Sequence, residues 1–406
     1  MSTQQPSVGY RAALREPVVG RLYAAFAMSV VGDYVAQGAL LFLAFERTDL
    51  ILGPAAVLAV AGLPAVLTGG IGGAWLDRLP RREALIGLQL LGAVSVLLPV
   101  LFDATPWVFV AAGLLGAVRA ANVAVRSGAI ADGVREEHRG PLLGLTGTTE
   151  QVGQVLGYLT GATLFHLIGS DAALLTDAAT FVLAGIILTR LRINEQHRRA
   201  VGRDVRAGVR EIFGHPILRI LAPVVWMSAL AGAVPETMAS AITDDGDAWR
   251  TIVLISAPAA QAVTSFVIGR TEVLKRLSFQ MTHLVWLALA YGLAMRFADR
   301  APLLAAANAL VGVGLAWTLG PQLAFLRHAR PERMAQVTGT MIAGLIVSEA
   351  AGSLALGWLA DATSVQAAYR TAGFLVLATA VVGWIAMQRT PDARALDRAF
   401  TERLFR

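Results

Sequence analysis

Apolar runs of roughly 20 residues, parted by short polar breaks, recur from one end of the chain to the other. Wound as a helix at about 1.5 Å per residue, such a run covers the hydrocarbon thickness of a bilayer, and a helix satisfies its own backbone there. The pattern predicts twelve spans, at about 18–45, 51–76, 84–102, 106–129, 141–168, 171–191, 215–241, 249–269, 279–297, 302–326, 334–360 and 367–388. Nothing alternates with the period of two that a membrane strand needs, so an all-α membrane protein is expected.

The breaks carry the rest of the organisation. The most densely charged, Gly69 to Glu83, reads Gly-Gly-Ile-Gly-Gly-Ala-Trp-Leu-Asp-Arg-Leu-Pro-Arg-Arg-Glu and joins spans two and three. The longest, Arg190 to Gly214, sets Arg190, Arg192, Arg198, Arg199, Arg203, Arg206 and Arg210 against an apolar face of Val201, Val205, Val209, Ile212 and Phe213. That is the pattern of a helix lying on the anionic cytoplasmic leaflet. The tail Asp392 to Arg406 repeats it with Leu396, Phe400 and Leu404. Two readings stand for both segments: a surface anchor, or a docking site for a partner.

The long break halves the chain, and the halves echo each other. Thr149-Glu150-Gln151-Val152-Gly153 returns 199 positions later as Ser348-Glu349-Ala350-Ala351-Gly352, and the same offset takes Gly113 to Gly312 and Gly140 to Gly339. Such a duplication predicts twelve transmembrane helices in two pseudo-symmetric six-helix bundles. Their expected bounds are 1–192 and 215–390, with a cytoplasmic amphipathic linker at 193–214 and an amphipathic tail at 391–406.

Composition agrees: 56% of residues are hydrophobic, 15% are charged, and mean hydropathy is +0.61. A pI near 10.2 raises nucleic acid as a partner, but position decides. Most of the 34 basic residues cluster beside alternate span ends. This is the positive-inside bias, which predicts a cell-membrane protein with both termini cytoplasmic and no nucleic-acid partner. The short polar segment Met1 to Pro17 leads into a full-length span, expected to act as an uncleaved targeting signal. There is no Cys, and the six His stand mostly at span ends without ligand spacing, so no metal or cofactor is expected.

Ionisable groups within spans are the informative ones, because each costs roughly 2.5–3.5 kcal/mol or more to bury there. Asp33 and Gln37 share a face of helix one; Arg119, Asn122 and Arg126 share a face of helix four. Glu150 with Gln154 lies in helix five, and Glu349 is its counterpart in helix eleven. These groups stand either as coupling and substrate groups or as polar ties between helices.

Gly73, Asp77, Arg78, Arg81 and Arg82, with Pro80 among them where Gly is usual, resemble the signature of the loop between helices two and three in the major facilitator superfamily, and the resemblance extends over nearly the whole chain. Gly144, Gly153, Gly157 and Gly161 resemble the glycine pattern of its antiporters, with Tyr158 and Ala162 as departures. Gly32-Asp33, Leu175-Thr176-Asp177 with Phe181, and Gly214-His215-Pro216 look like the branch of macrolide and siderophore exporters. The resemblance implies that helices one, four, seven and ten line a central cavity in which Asp33 faces Arg119. It also implies a cytoplasmic latch in which Asp77, Arg78, Arg81 and Arg82 work with acids such as Asp132. Trp226, Met227, Trp317, Phe325 and Gln322 stand either as an apolar cavity wall or as ordinary core.

The expected function is a secondary transporter, not an enzyme, that exports a small lipophilic organic compound by proton antiport with alternating access. Asp33 is the first candidate for the proton, Glu150 and Glu349 follow, and Arg119 modulates them. The expected partners are substrate, protons and membrane lipids, with the chain a monomer and no cofactor. An importer or facilitator of a metabolite, and an uncoupled flippase on the same fold, remain alternatives.

Overall fold

The computed structural model describes residues 10–67, 79–192, 205–241, 246–268, 279–318, 320–322, 328 and 333–391. Among them every regular element is a helix. In chain order these are α1 (Tyr10–Arg15), α2 (Pro17–Thr48), α3 (Leu52–Leu67), α4 (Arg81–Leu101), α5 (Pro106–Gly133), α6 (Glu136–Ile168), α7 (Ser170–Thr189) and α8 (Val205–Gly214). They continue with α9 (Leu218–Gly232), α10 (Val234–Ala239), α11 (Asp247–Ile268), α12 (Phe279–Arg296), α13 (Ala301–Ala316), α14 (Met334–Ala362) and α15 (Val365–Arg389). Among the described residues nine helical stretches are long and apolar enough to cross a membrane. Large apolar side chains such as Leu167, Phe374 and Leu101 stand well exposed, the pattern of helices whose surroundings are apolar.

Local chemistry sets the boundaries. Pro106 opens α5, where its missing N–H has no helical partner to lose. Gly169, at φ 110°, turns α6 directly into α7, a backbone angle that a side chain would strain. Ser364 caps α15 by accepting the Ala367 N–H at 3.1 Å. The seventh span is not one helix: it breaks at Ala233, between α9 and α10. Pro235 cannot donate to the carbonyl of Ala231, and that carbonyl instead accepts the buried Tyr291 hydroxyl at 2.7 Å.

The chain folds as two compact units, residues 1–44 with 67–202, and 45–66 with 203–406. In the first unit α4 packs against α5 and α7, and α6 packs against α7. Helices α2 and α6 meet at a glycine seam: a Cβ on Gly161 would fall 2.9 Å from the Val35 Cα, and one on Gly157 would fall 3.1 Å from the Tyr34 carbonyl carbon. Small residues let membrane helices approach this closely, and dispersion contacts hold them.

In the second unit α11 packs on α13, α12 on α15, and α9 on α14. Gly352 meets the Leu230 backbone, where a Cβ would fall 2.8 Å from the Cα. Gly352 is the repeat counterpart of Gly153, which meets Val30 of α2. Most of the second span, α3, makes its contacts with this second unit. The reason is local. Asp361 at the end of α14 accepts the N–H groups of Ile51 and Leu52 at 2.8 Å each, and Gly357 makes room for Ala55.

Helix α8, the described part of the linker, packs along α14. Gly208, Glu211 and Ile212 are buried against α14, with Glu211 paired to Arg333 at 3.1 Å, while Val209 and Phe213 stay exposed. Ile212 of the apolar stripe thus shares the buried face with a glycine and an ion pair. Val201 and the tail 392–406 lie outside the described residues.

Candidate functional site

A cavity of about 280 Å³ opens within the first unit. From α2 it is lined by Leu22, Ala25, Phe26, Ser29, Val30 and Asp33, and from α5 by Arg119, Asn122, Val123 and Arg126. Leu85 and Gln89 of α4, Glu150 of α6 and Leu188 of α7 complete it. The spacing explains the lining. Residues 22, 26, 29 and 33, like 119, 122, 123 and 126, recur at intervals of three and four, so each set forms one stripe of a helix.

At one end Arg119, Tyr34 and Glu150 form a closed triangle. The Arg119 guanidinium donates to the Tyr34 oxygen at 2.6 Å and to the Glu150 carboxylate, and the Tyr34 hydroxyl donates to the same carboxylate at 3.2 Å. The Arg119 Cζ also stands 4.7 Å from the Tyr34 ring centroid. Asp33 faces the same cavity and makes no hydrogen bond among the described residues. Arg126 lies towards the other end with its Cζ 3.9 Å over the Phe26 ring. Between them the Gln89 amide donates to Asn122 at 3.4 Å.

The sequence singled out Asp33, Arg119, Asn122, Arg126 and Glu150, and the structure brings these five to one cavity. Gln37 and Gln154 are half-buried and are not in its lining. Tyr34 and Gln89 were not singled out, and Asp177 was named only within the resemblance to the exporter branch. Tyr34 adjoins Asp33 in sequence, and Gln89 is a lone amide in an apolar span, so each carried a signal. Asp177 is fully buried on α7, takes the Thr180 hydroxyl at 3.0 Å, and lies where a side chain on Gly32 would otherwise sit. Tyr158, one of the departures from the antiporter pattern, packs edge-on to Tyr34 with ring centroids 5.3 Å apart. Of the four pattern glycines, Gly153, Gly157 and Gly161 meet α2, whereas Gly144 faces the Tyr10 ring.

Candidates in the second unit are placed differently. The Trp226 indole donates to the Met341 carbonyl at 3.1 Å and lies against Gly344, so it ties α9 to α14. Trp317 packs on Ile268 and Ala316, and Met227, Gln322 and Glu349 are half-buried. None of these lines the cavity of the first unit. Of the charged loop, Gly73, Asp77 and Arg78 lie outside the described residues. Arg81 pairs with Asp132 at 3.2 Å, both nearly buried at 9% and 11% exposed, and Arg82 donates to the Thr189 carbonyl. Phe325 also lies outside the described residues.

Three solved structures give the fold its context. The chain is similar to an auto-inhibited POT family peptide transporter, with 12% identity, coverage of 92% of this chain and 97% of that one, and a TM-score of 0.72. It is similar to a bacterial homolog of the human lysosomal transporter Spinster, inward-facing and unoccupied, with 14% identity, 95% and 98% coverage and a TM-score of 0.66. The human organic anion transporter MFSD10 (TETRAN) is similar at 16% identity, 94% and 100% coverage and a TM-score of 0.64. No curated protein matches the chain. Residues 22–242, more than half of the chain, match the model of the Major Facilitator Superfamily. The chain therefore belongs to that superfamily, as a multi-pass all-α membrane transporter with twelve transmembrane helices and not as an enzyme.

Proposed function

We propose that the protein exports a small organic compound in exchange for protons, by alternating access, with Asp33 as the group at which proton and substrate displace one another. The carrying observation is the position of Asp33: an intramembrane carboxyl, in a cavity, with no hydrogen-bonding partner among the described residues. A structural tie would be paired, as Glu150 is with Arg119 and Tyr34. Intramembrane acids that face a cavity mark ion and proton pathways. The Leu22, Phe26, Leu85 and Leu188 side chains supply the apolar part of a ligand surface.

In this reading Arg119 and Glu150 form a fixed neutral pair that sets the field around Asp33, and Glu349 is held in the second unit as a structural counterpart of Glu150. The Arg81–Asp132 pair belongs to a cytoplasmic latch, whose net strength stays at a few kcal/mol because alternation must break it. The glycine seam of α2 and α6 seals the unit against proton leak. The protein works as a monomer in the cell membrane, with both termini cytoplasmic.

The test is reconstitution in liposomes with an imposed pH gradient and a panel of lipophilic compounds. Wild type is expected to move compound against proton, and Asp33→Asn is expected to lose the dependence of transport on the gradient. Unchanged proton dependence in that variant would remove Asp33 from the mechanism. Substrate movement in wild type without proton flux would favour the uncoupled facilitator.

A further inference from the structure

Four charged side chains face the cavity, and they divide unequally. Arg119 and Glu150 neutralise each other directly. That leaves Asp33 and Arg126, neither of which makes an ion pair among the described residues. Their positions keep them apart. Tyr34, next to Asp33, touches Arg119, while Phe26 is stacked under Arg126. Seven residues of helix separate each end on both α2 and α5, which at 1.5 Å per residue is about 10 Å. Between the two charges run Ser29, Val30, Asn122 and Val123, with Leu85 and Leu188 completing the wall.

We propose that the cavity is a two-ended site for an amphoteric organic molecule, its ammonium group at Asp33, its carboxylate or similar oxyanion at Arg126, and its apolar or aromatic body between them over Phe26. The proposal rests on the reading that Asp33 is the exchange group. A guanidinium and a carboxylate in one membrane-buried cavity, neither in a direct ion pair among the described residues, are each costly to keep without a contacting counter-charge. A ligand with a single charge completes one end and leaves the other uncompensated. A zwitterion of matching length completes both. It also accounts for exchange, because the ligand's ammonium and a proton are alternatives at the same Asp33 oxygens. The proton that leaves Asp33 goes to water as the ammonium arrives, and the return step reverses both.

The test uses the full-length protein in detergent and in liposomes. The probe is a fluorescent quinolone with a piperazine ammonium and a carboxylate at opposite ends of its fused ring. Its methyl ester lacks the anion and its N-acetyl derivative lacks the cation. Wild type is expected to bind the parent at least about tenfold more tightly than either derivative, since each leaves one buried charge unpaired. Arg126→Gln is expected to abolish the preference over the ester and keep the preference over the N-acetyl form; Asp33→Asn is expected to do the reverse. Arg126→Lys should recover part of the ester discrimination.

Equal binding of parent and ester by wild type, an ester ratio unmoved in Arg126→Gln, or no saturable binding of the parent would overturn the proposal. If Arg126→Gln does not fold, the wild-type ester ratio alone decides. Proton flux into pyranine-loaded liposomes separates the two claims. Ratios as expected without flux would sink the exchange reading and leave the site standing; flux with unmoved ratios would do the opposite.

Discussion

Replacing Gly161 by alanine tests the seam between α2 and α6 with a single methyl group. The added Cβ would lie 2.9 Å from the Val35 Cα and 3.0 Å from its carbonyl carbon, so the obstacle is backbone, which no rotamer change can clear. Overpacking of this kind costs about 1–3 kcal/mol, and contact with backbone puts it at the upper end. Alanine returns about 1 kcal/mol of helix propensity, which leaves a net loss of about 2 kcal/mol. For a unit of this size that is a fall of about 4–8 °C in melting temperature.

Gly147 is the control on the same helix. Nothing lies within 4 Å of its added Cβ, so Gly147→Ala keeps the propensity gain and is expected to melt up to about 2–4 °C higher than wild type. The assay is thermal unfolding of the purified protein in one detergent, read by tryptophan fluorescence and by loss of the monodisperse elution peak. A Gly161→Ala protein that melts at or above wild type would refute the reasoning, because it would mean the two helices do not touch where Val35 and Gly161 are placed. A fall in Gly147→Ala equal to that in Gly161→Ala would also refute it, because the effect would then be general to glycine.

Further outcomes follow from individual contacts. Asp132→Asn should cost about 1–3 kcal/mol in the same melting assay by removing the charge of the nearly buried pair with Arg81, and Arg81→Gln added to it should cost less than the sum of the single losses; strictly additive losses would show that the two groups do not interact. Glu150→Gln should cost less, about 1–2 kcal/mol, because its pair with Arg119 is a third exposed to the cavity. Asp361→Ala removes two backbone acceptors at the start of α3 and should cost about 1–2 kcal/mol, with Asp361→Asn in between; equal stability of all three would remove the cap. Trp226→Phe should lose about 1 kcal/mol with the Met341 hydrogen bond and leave probe binding unchanged; a loss of binding would return Trp226 to the substrate wall.

Span number and helix type were legible because hydropathy in a bilayer is a one-dimensional property of the chain. The first-unit cavity was legible in part for a related reason. Asp33 and the stripe Arg119, Asn122 and Arg126 are polar residues where polarity is costly, and the helical period alone puts each set on a face. Partnership was not legible. Arg119 was matched to Asp33 of α2, and it reaches that helix through the next residue, Tyr34, while its ion pair goes to Glu150 of α6, whose nearness in space the sequence does not encode. Trp226 carries the same lesson, since an indole facing a cavity and an indole donating to a neighbouring backbone look identical in a string of letters. The docking of α8 was legible only in Ile212, because Gly208 and an ion pair make the rest of the contact, which no apolar stripe announces.

The cap that Asp361 places on the first turn of α3 also bears on how the protein is made. Donor and acceptor are 310 and 309 residues apart, so α3 enters the membrane long before its cap exists. At about 5–20 residues per second, synthesis leaves an interval of roughly 15–60 s in which the N–H groups of Ile51 and Leu52 must find other company, in water, headgroups or an insertion chaperone. A ribosome stalled within that window should hold a nascent chain whose second span is more open to labelling at Leu50 than in the finished protein.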